Sequence, residues 1–388
     1  MTKNQKTFLV ILGLYVIFDF VLSSLVGIFI WDKTKEASSI LTYYITLFTS
    51  IMIFSQISGS LVGKWGAQKV YIISIACGML QAISVILFQN NLETMLIPIA
   101  TIAGASVGIQ SVAYSLVAAA IIRGEEGTKY ISTKSSVMNT VSIIVVPIIT
   151  YVISRTHSYT ATYMAGALVG VVVMVLIARI EVNIEPSTYS PLQFFIPMFR
   201  DPEGRIYLLT RVLYGVFNGP VWAILGVVTY RFVGSVSVWG IISTGFTLLG
   251  IIGSHFYSKL NSPNMYRAVS GISALVFSGM AILLSTNWNL QSFLLYQVGL
   301  IVLNTTFSTH YEKMVYSIIN KSDEFVMHAK EVVGMGEVAI GFGRLIILAG
   351  LLVSNFTFSD DWVLRLIFIA IASMPLLIMN TLQGAKIT

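Results

Sequence analysis

Glu331–Leu352 reads EVVGMGEVAIGFGRLIILAGLL. About 20 apolar residues, each rising about 1.5 Å in a helix, cross roughly 30 Å of hydrocarbon, so this stretch is long enough to span a bilayer. It nonetheless carries Glu331, Glu337 and Arg344. A charge near the bilayer centre is costly unless it meets a partner or lines a wet cavity. Glu337 and Arg344 are seven residues apart, which puts them on nearly one helix face, and Gly334 and Gly341 share that face. A helix with one charged, glycine-lined stripe needs neighbours to cover it, and the rest of the chain must supply them.

The composition agrees with a membrane setting. Of 388 residues, 56% are hydrophobic and 10% charged, with a mean hydropathy of +0.83, whereas a soluble domain is about 25% charged. The net charge of +6 comes from basic residues placed between apolar runs. That pattern fits positive loops on one side of a membrane and argues against nucleic acid as a partner. The single cysteine, Cys77, allows no internal disulfide and no cysteine-rich metal site, and reads as a small buried apolar residue. The start, MTKNQK before FLVILGLYVIF, has the charge pattern of a signal peptide. Its apolar run is too long and contains Asp19, which favours a retained first span.

Twelve apolar segments can be marked: Phe8–Ile30, Ser39–Val62, Val70–Phe88, Met95–Ile122, Ser135–Ser154, Ala161–Ile180, Ile206–Phe232, Val238–Ser258, Ala268–Ser285, Leu290–Tyr311, Glu331–Ser354 and Trp362–Asn380. With the N-terminus inside, the loops holding Lys64, Lys69, Arg123, Lys129, Arg179, Arg200, Arg205, Lys259 and Lys321 are cytoplasmic. Only Lys33, Lys35, Arg155 and Arg231 fall outside. Both termini are then cytoplasmic. Residues 181–205 contain Pro186, Pro191, Pro197 and Pro202, too many for one long helix. They separate an N-terminal six-span half, 1–180, from a C-terminal one, 206–388. Within the link, PLQFFIPMF followed by RDPEGR is either a segment lying on the membrane surface or a partly buried connector. Gly59-Ser60 at the end of the second segment recurs as Gly253-Ser254 at the end of the eighth, half the chain later, a weak echo that suggests two repeated halves.

The second segment runs into Gly59-Ser-Leu61-Val-Gly63-Lys64-Trp-Gly66-Ala-Gln-Lys69. With twelve spans and a central link, this loop makes the whole chain resemble the major facilitator superfamily, as a secondary transporter of bacterial type. The family's loop has glycine, leucine, aspartate, a basic residue and glycine where this chain has Gly59, Leu61, Gly63, Lys64 and Gly66. The aspartate is missing at Gly63. The resemblance implies that this aspartate latches the loop against the eleventh helix, so another device must hold that helix here. Pro147 in IIVVPIIT lacks the flanking glycines usual in the family's proton-coupled drug exporters. The implied fold is all-α: twelve transmembrane helices in two pseudo-symmetric six-helix halves.

The resemblance also implies that spans one, four, seven and ten line a central cavity. Polar residues at helical spacing mark candidate faces on all four. Span one offers Tyr15, Asp19 and Ser23, and span four Gln110 and Tyr114. Span seven offers Arg211, Tyr214, Asn218 and Trp222, and span ten Gln297, Asn304, Ser308 and Tyr311. Asp19 lies mid-span, where desolvation favours the neutral carboxyl. It is either a proton carrier or a structural acid paired with an arginine. Arg211 reads as a snorkelling residue. Glu331 reads as a solvated residue at the cytoplasmic mouth beside Lys330. Arg344 either binds an anionic group or, the preferred reading, neutralises Asp19 or Glu337. Glu337 and Arg344 are candidates for the charged switch that the missing loop aspartate leaves open. His255 and His310 read as solvated end residues.

No nucleotide-binding loop, hydrolase elbow or metalloprotease motif is present, so the chain is expected not to be an enzyme and to need no cofactor or metal. The expected function is secondary active transport by alternating access, in a multi-pass protein of the cytoplasmic membrane working as a monomer. The expected cargo is a small amphipathic or hydrophobic molecule, moved outward with protons as the coupling ion. A lipid or glycolipid flippase and a non-transporting sensor or assembly protein are the alternatives.

Overall fold

The computed structural model describes residues 3–121, 127–156, 158–180, 189–258, 263–319, 328–355 and 359–384. Helices α1 (Lys3–Asp19) and α2 (Leu25–Thr34), joined by a π-helical turn at Phe20–Ser24, make the first span. Helices α3 (Ala37–Trp65), α4 (Ala67–Leu87), α5 (Leu92–Ile121), α6 (Gly127–Thr156) and α7 (Thr160–Ile177) complete the first half. A short helix α8 (Pro191–Arg200) leads into α9 (Pro202–Val233), α10 (Val236–Ser258), α11 (Pro263–Thr286), α12 (Leu290–Ile319) and α13 (Ala329–Ser354). The last span is broken into α14 (Asp360–Ala372) and α15 (Met374–Gly384), just before Pro375, whose missing N–H interrupts the ladder. Eleven of these segments are long and apolar enough to cross a membrane, and the apolar part of the twelfth, Leu290–Asn304, is shorter.

Helix ends follow local chemistry. Gly66 (φ 82°) and Gly234 (φ 70°) close α3 and α9 with backbone that side chains disfavour. Asp201 accepts the Gly204 N–H at 2.9 Å and Pro202 occupies the first turn, so α9 starts there and not at Ile206 as expected.

Lipid offers little apolar driving force between helices, so close packing depends on small residues. Gly104 and Gly108 let α5 settle on the α3 backbone at Leu47–Ile51. In the second half, α9 and α13 meet through Gly215, beneath the Ile340 carbonyl, and Gly343, beneath the Val212 carbonyl. The most extensive contacts between the halves are two equivalent pairs: α13 on α3, where Met52 fills the space over Gly341, and α6 on α10, where Thr150 fills the space over Gly240. Exchanging the halves carries the second and eleventh spans onto the eighth and fifth, so one pair maps onto the other.

Leu87, Leu168, Ile272 and Leu275 stand exposed on spans three, six and nine, a peripheral apolar surface suited to lipid. In the link, α8 is two-sided: Phe194 and Met198 are buried against the bundle, while Phe195, Ile196 and Phe199 are exposed. Cys77 is half-buried and not fully buried as expected.

Candidate functional site

A cavity of about 500 Å³ lies between α2, α9, α10, α12 and α13, with Tyr44 of α3 in its wall. Tyr44, Trp222, Trp239 and Phe246 supply aromatic surface, and Asn218, Thr229, Ser243 and Gln297 supply polar groups. Gln297 Nε2 donates to Thr229 Oγ1 at 3.4 Å. Arg344 is the one charged residue among those lining the cavity. It is only 8% exposed. Its Nη2 donates to Asn218 Oδ1 at 3.0 Å, and its guanidinium lies 4.7 Å from the Phe48 ring centroid and 5.1 Å from that of Trp222. Gly219 makes room for the stem, because a Cβ there would stand 2.7 Å from Arg344 Cγ. Thus α9 both stacks and hydrogen-bonds the arginine that α13 delivers.

Glu337 lies within electrostatic reach of Arg344 and Arg211 but forms no ion pair with a cation among the described residues. Arg211 does not snorkel. It is 8% exposed, its Nη1 donates to Tyr311 Oη at 3.0 Å, and its guanidinium covers the Tyr207 ring at 5.1 Å. Tyr214 stacks on Tyr311 with centroids 4.2 Å apart. The stripe on α9 therefore divides: Asn218 and Trp222 reach the cavity, while Arg211 and Tyr214 belong to an aromatic cluster beside it.

Asp19 is not neutralised by Arg344. Its Oδ1 accepts from Ser23 Oγ at 2.9 Å and stands 3.4 Å from Tyr15 Oη, which itself donates to Gln110 Oε1 at 2.6 Å. The π turn begins at the next residue. Such turns leave the regular i−4 ladder and often mark functional positions. Here Gln81 Nε2 donates to the Leu22 carbonyl within the turn, at 2.9 Å. Ser23 also borders a small void whose walls include Tyr44 and Trp222, so the Asp19 cluster adjoins the main cavity.

The end of the bundle carrying both termini is tied across the halves by Tyr189, just before α8. Its ring lies over Gly59 of α3 and its hydroxyl over Gly334 of α13. The hydroxyl donates to Gln56 Oε1 at 2.8 Å, and Gln56 Nε2 donates to the Gly334 carbonyl at 2.8 Å. Burial, and then the charge of nearby Glu331, raises the Tyr189 pKa, so the phenol stays protonated and can donate. Glu331 is not solvated: it is fully buried, accepts the Ser190 N–H at 3.3 Å and has Lys330 Nζ at 3.9 Å and His328 Nδ1 at 3.7 Å. At the opposite end Tyr230 Oη donates to Asp32 Oδ1 at 3.3 Å, and Lys35 pairs with the same oxygen at 2.8 Å, joining α2 to α9.

Three of the residues expected in the cavity line it, Asn218, Trp222 and Gln297, and so does Arg344, which was expected as part of a charged switch. Tyr15 and Gln110 form the Asp19 cluster instead. Tyr114 packs within the first half, 5.9 Å from Phe8 and under Lys134. Asn304 is exposed and does not line the cavity. In the loop, Lys64 and Lys69 are exposed, Gly63 lies in the last turn of α3, Gly66 makes the bend, and Gly59 receives Tyr189. The side chains of Ser308, His310 and His255 lie outside the described residues. Spans two and eight contribute Tyr44, Trp239, Ser243 and Phe246, which the four-span expectation missed. The YY pair at Tyr43–Tyr44 and WG at Trp239–Gly240 were the only sequence signals for them.

Two halves around a central aromatic and polar cavity, closing on each other through equivalent helix pairs, define a membrane carrier. The chain belongs to the Major Facilitator Superfamily, whose model matches residues 7–317. Among solved structures, an aspartate-to-alanine variant of the nucleoside transporter NupG superposes with a TM-score of 0.74 at 12% identity, over 99% of this chain and 100% of that one. NupG itself gives 0.68 at 12%, over 100% of both chains. The human organic anion transporter MFSD10 (TETRAN) gives 0.61 at 14%, over 99% of this chain and 100% of that one. No curated protein sequence matches the chain. Membrane transport of a small molecule is the activity this fold supports.

Proposed function

We propose that the chain is a secondary active transporter carrying a small amphipathic molecule out of the cytoplasm by alternating access, coupled to inward proton movement. The observation that carries the cargo class is the cavity wall, in which four aromatic rings face four neutral hydrogen-bonding side chains. Such a lining suits a molecule with a planar apolar part and a few polar groups. Proton coupling rests on Asp19 and Glu337. Each carboxyl sits within a span with no ion pair to a described cation, so each can take up a proton without breaking one. The end with both termini is assigned to the cytoplasm on the excess of Lys and Arg in its loops. On this reading 1–180 and 206–388 rock about the cavity, with 181–205 as the link between them.

In proteoliposomes, an imposed pH gradient should drive accumulation of a cavity-binding compound by the wild type. Asp19→Asn should abolish that accumulation while leaving counterflow at zero gradient. Gradient-driven accumulation by the asparagine variant at the wild-type rate would remove Asp19 from the coupling. Indifference of wild-type flux to the gradient would remove proton coupling altogether.

A further inference from the structure

The cavity wall contains a charge that forms no ion pair among the described residues. Of the described residues in the lining, Arg344 is the single charged one, and it is nearly buried. Among the described residues it donates to a neutral amide, Asn218, and its Nε meets no acceptor. Asp19, the mid-span acid of the first half, accepts from Ser23 and lies beside Tyr15. Glu337 acts on Arg344 electrostatically but makes no ion pair with it among the described residues. Burying a guanidinium without a pairing anion is expensive. The cost is borne at a wall that opens into space large enough for a ligand, on a side chain that rests against both Phe48 and Trp222. A planar guanidinium fixed in this way presents parallel N–H donors in the geometry that suits a two-oxygen anion.

We infer that the cavity binds an organic oxyanion, a molecule with a carboxylate or phosphate joined to a planar ring. The oxyanion pairs with Arg344, and the ring packs among Trp222, Tyr44 and Trp239. This rests on the transport reading above and narrows its cargo. Asn218 then acts as a positioning residue that orients the guanidinium, and Gly219 as the residue that makes room for its stem. The nearness of Glu337 gives the anion a competitor for Arg344.

The test uses the full-length protein in detergent, with tryptophan fluorescence and thermal stabilisation as two readouts. The probes are indole-3-acetate, phenyl phosphate and indole-3-acetamide, the last a neutral counterpart of the first. Wild type should bind at least one of the two anions at least about tenfold more tightly than the amide. The carboxylate and phosphate arms tell the two sources of oxyanion apart. Arg344→Gln should lose the preference for anion over amide, and Arg344→Lys should keep part of it. Glu337→Gln should bind the anion at least as tightly as wild type. If the amide binds as well as the anions, or if Arg344→Gln keeps the preference, the oxyanion proposal falls while the transport reading stands. If neither anion nor amide binds, the oxyanion proposal falls and the amphipathic cargo falls with it. Should Arg344→Gln fail to fold, the anion-to-amide ratio in wild type and Arg344→Lys decides.

Discussion

Alanine at Gly343 is expected to destabilise the protein by about 2 kcal/mol or more, as overpacking does when no side chain can move aside. A Cβ there meets the Val212 carbonyl and the Val216 amide of α9, which are backbone atoms held in their own helix ladder. The reciprocal contact, Gly215 under the Ile340 carbonyl, means that α9 and α13 are pinned at two points and cannot tilt to relieve one without worsening the other. Gly350 lies seven residues further along the same helix with nothing within 4 Å of a built Cβ. Gly350→Ala should leave the melting temperature unchanged or slightly raised, since alanine is the better helix former by about 1 kcal/mol. The pair is read by thermal unfolding in detergent. Equal melting temperatures for the two variants would show that the helices are not packed at this distance. Arg344 follows Gly343 directly, so Gly343→Ala should also weaken ligand binding, by moving the guanidinium away from Phe48 and Trp222.

The second large effect is conformational. Gly59→Leu fills the slot that the Tyr189 ring occupies and should expel it from between α3 and α13. The displaced tyrosine loses its hydrogen bond to Gln56, worth about 1 kcal/mol, together with its ring contacts. A loss of about 1.4 kcal/mol shifts a two-state population roughly tenfold. Spin labels on cysteines placed at Lys64 and Arg205, both exposed, in a Cys77→Ser background would report the distance between the halves at this end. Gly59→Leu should move the distribution to longer distances, and Tyr189→Phe should move it less. Distributions matching wild type in both would show that Tyr189 does not hold the end closed. The loop aspartate implied by the family resemblance is absent at Gly63, and this tyrosine from the link occupies the same helix pair that such a latch would join.

Much of the architecture was legible because a bilayer permits few answers. Runs of the right length, loop charges and one proline-rich link are enough to state twelve helices in two halves. The charged stripe on Glu331–Leu352 correctly required covering neighbours, and α3 and α9 are those neighbours. What sequence could not give was which partner each polar group meets. Helical spacing placed Arg211, Tyr214, Asn218 and Trp222 on one face, yet a long helix passes more than one environment, and only the last two reach the cavity. Asn304 fits its stripe by spacing and still does not line the cavity. Glu331 sits beside Lys330 in sequence, which suggested a solvated pair. Its burial depends on the link folding back to present the Ser190 N–H, a contact 141 residues away in the chain. The contributions of Tyr44 and Trp239 were hidden because aromatic residues are common throughout such a chain and carry no periodic signal alone.

The π turn at Phe20–Ser24 has a consequence for register. Tyr15, Asp19, Ser23 and Gly27 follow one another at four-residue steps and would share a face in an unbroken α-helix. One extra residue in the turn swings everything after it by about 100°, so Asp19 looks inward at Tyr15 and Gln110 while Gly27 and Ile28 look into the cavity. The inner and outer parts of the first span are therefore phased independently. If the turn relaxes to α-helical geometry, the extra residue must be absorbed elsewhere, and α2 rotates relative to α1 about their common axis. A screw-like movement of this kind would change what the cavity wall presents at Gly27 and what surrounds the carboxyl at Asp19 in a single motion, without either half tilting.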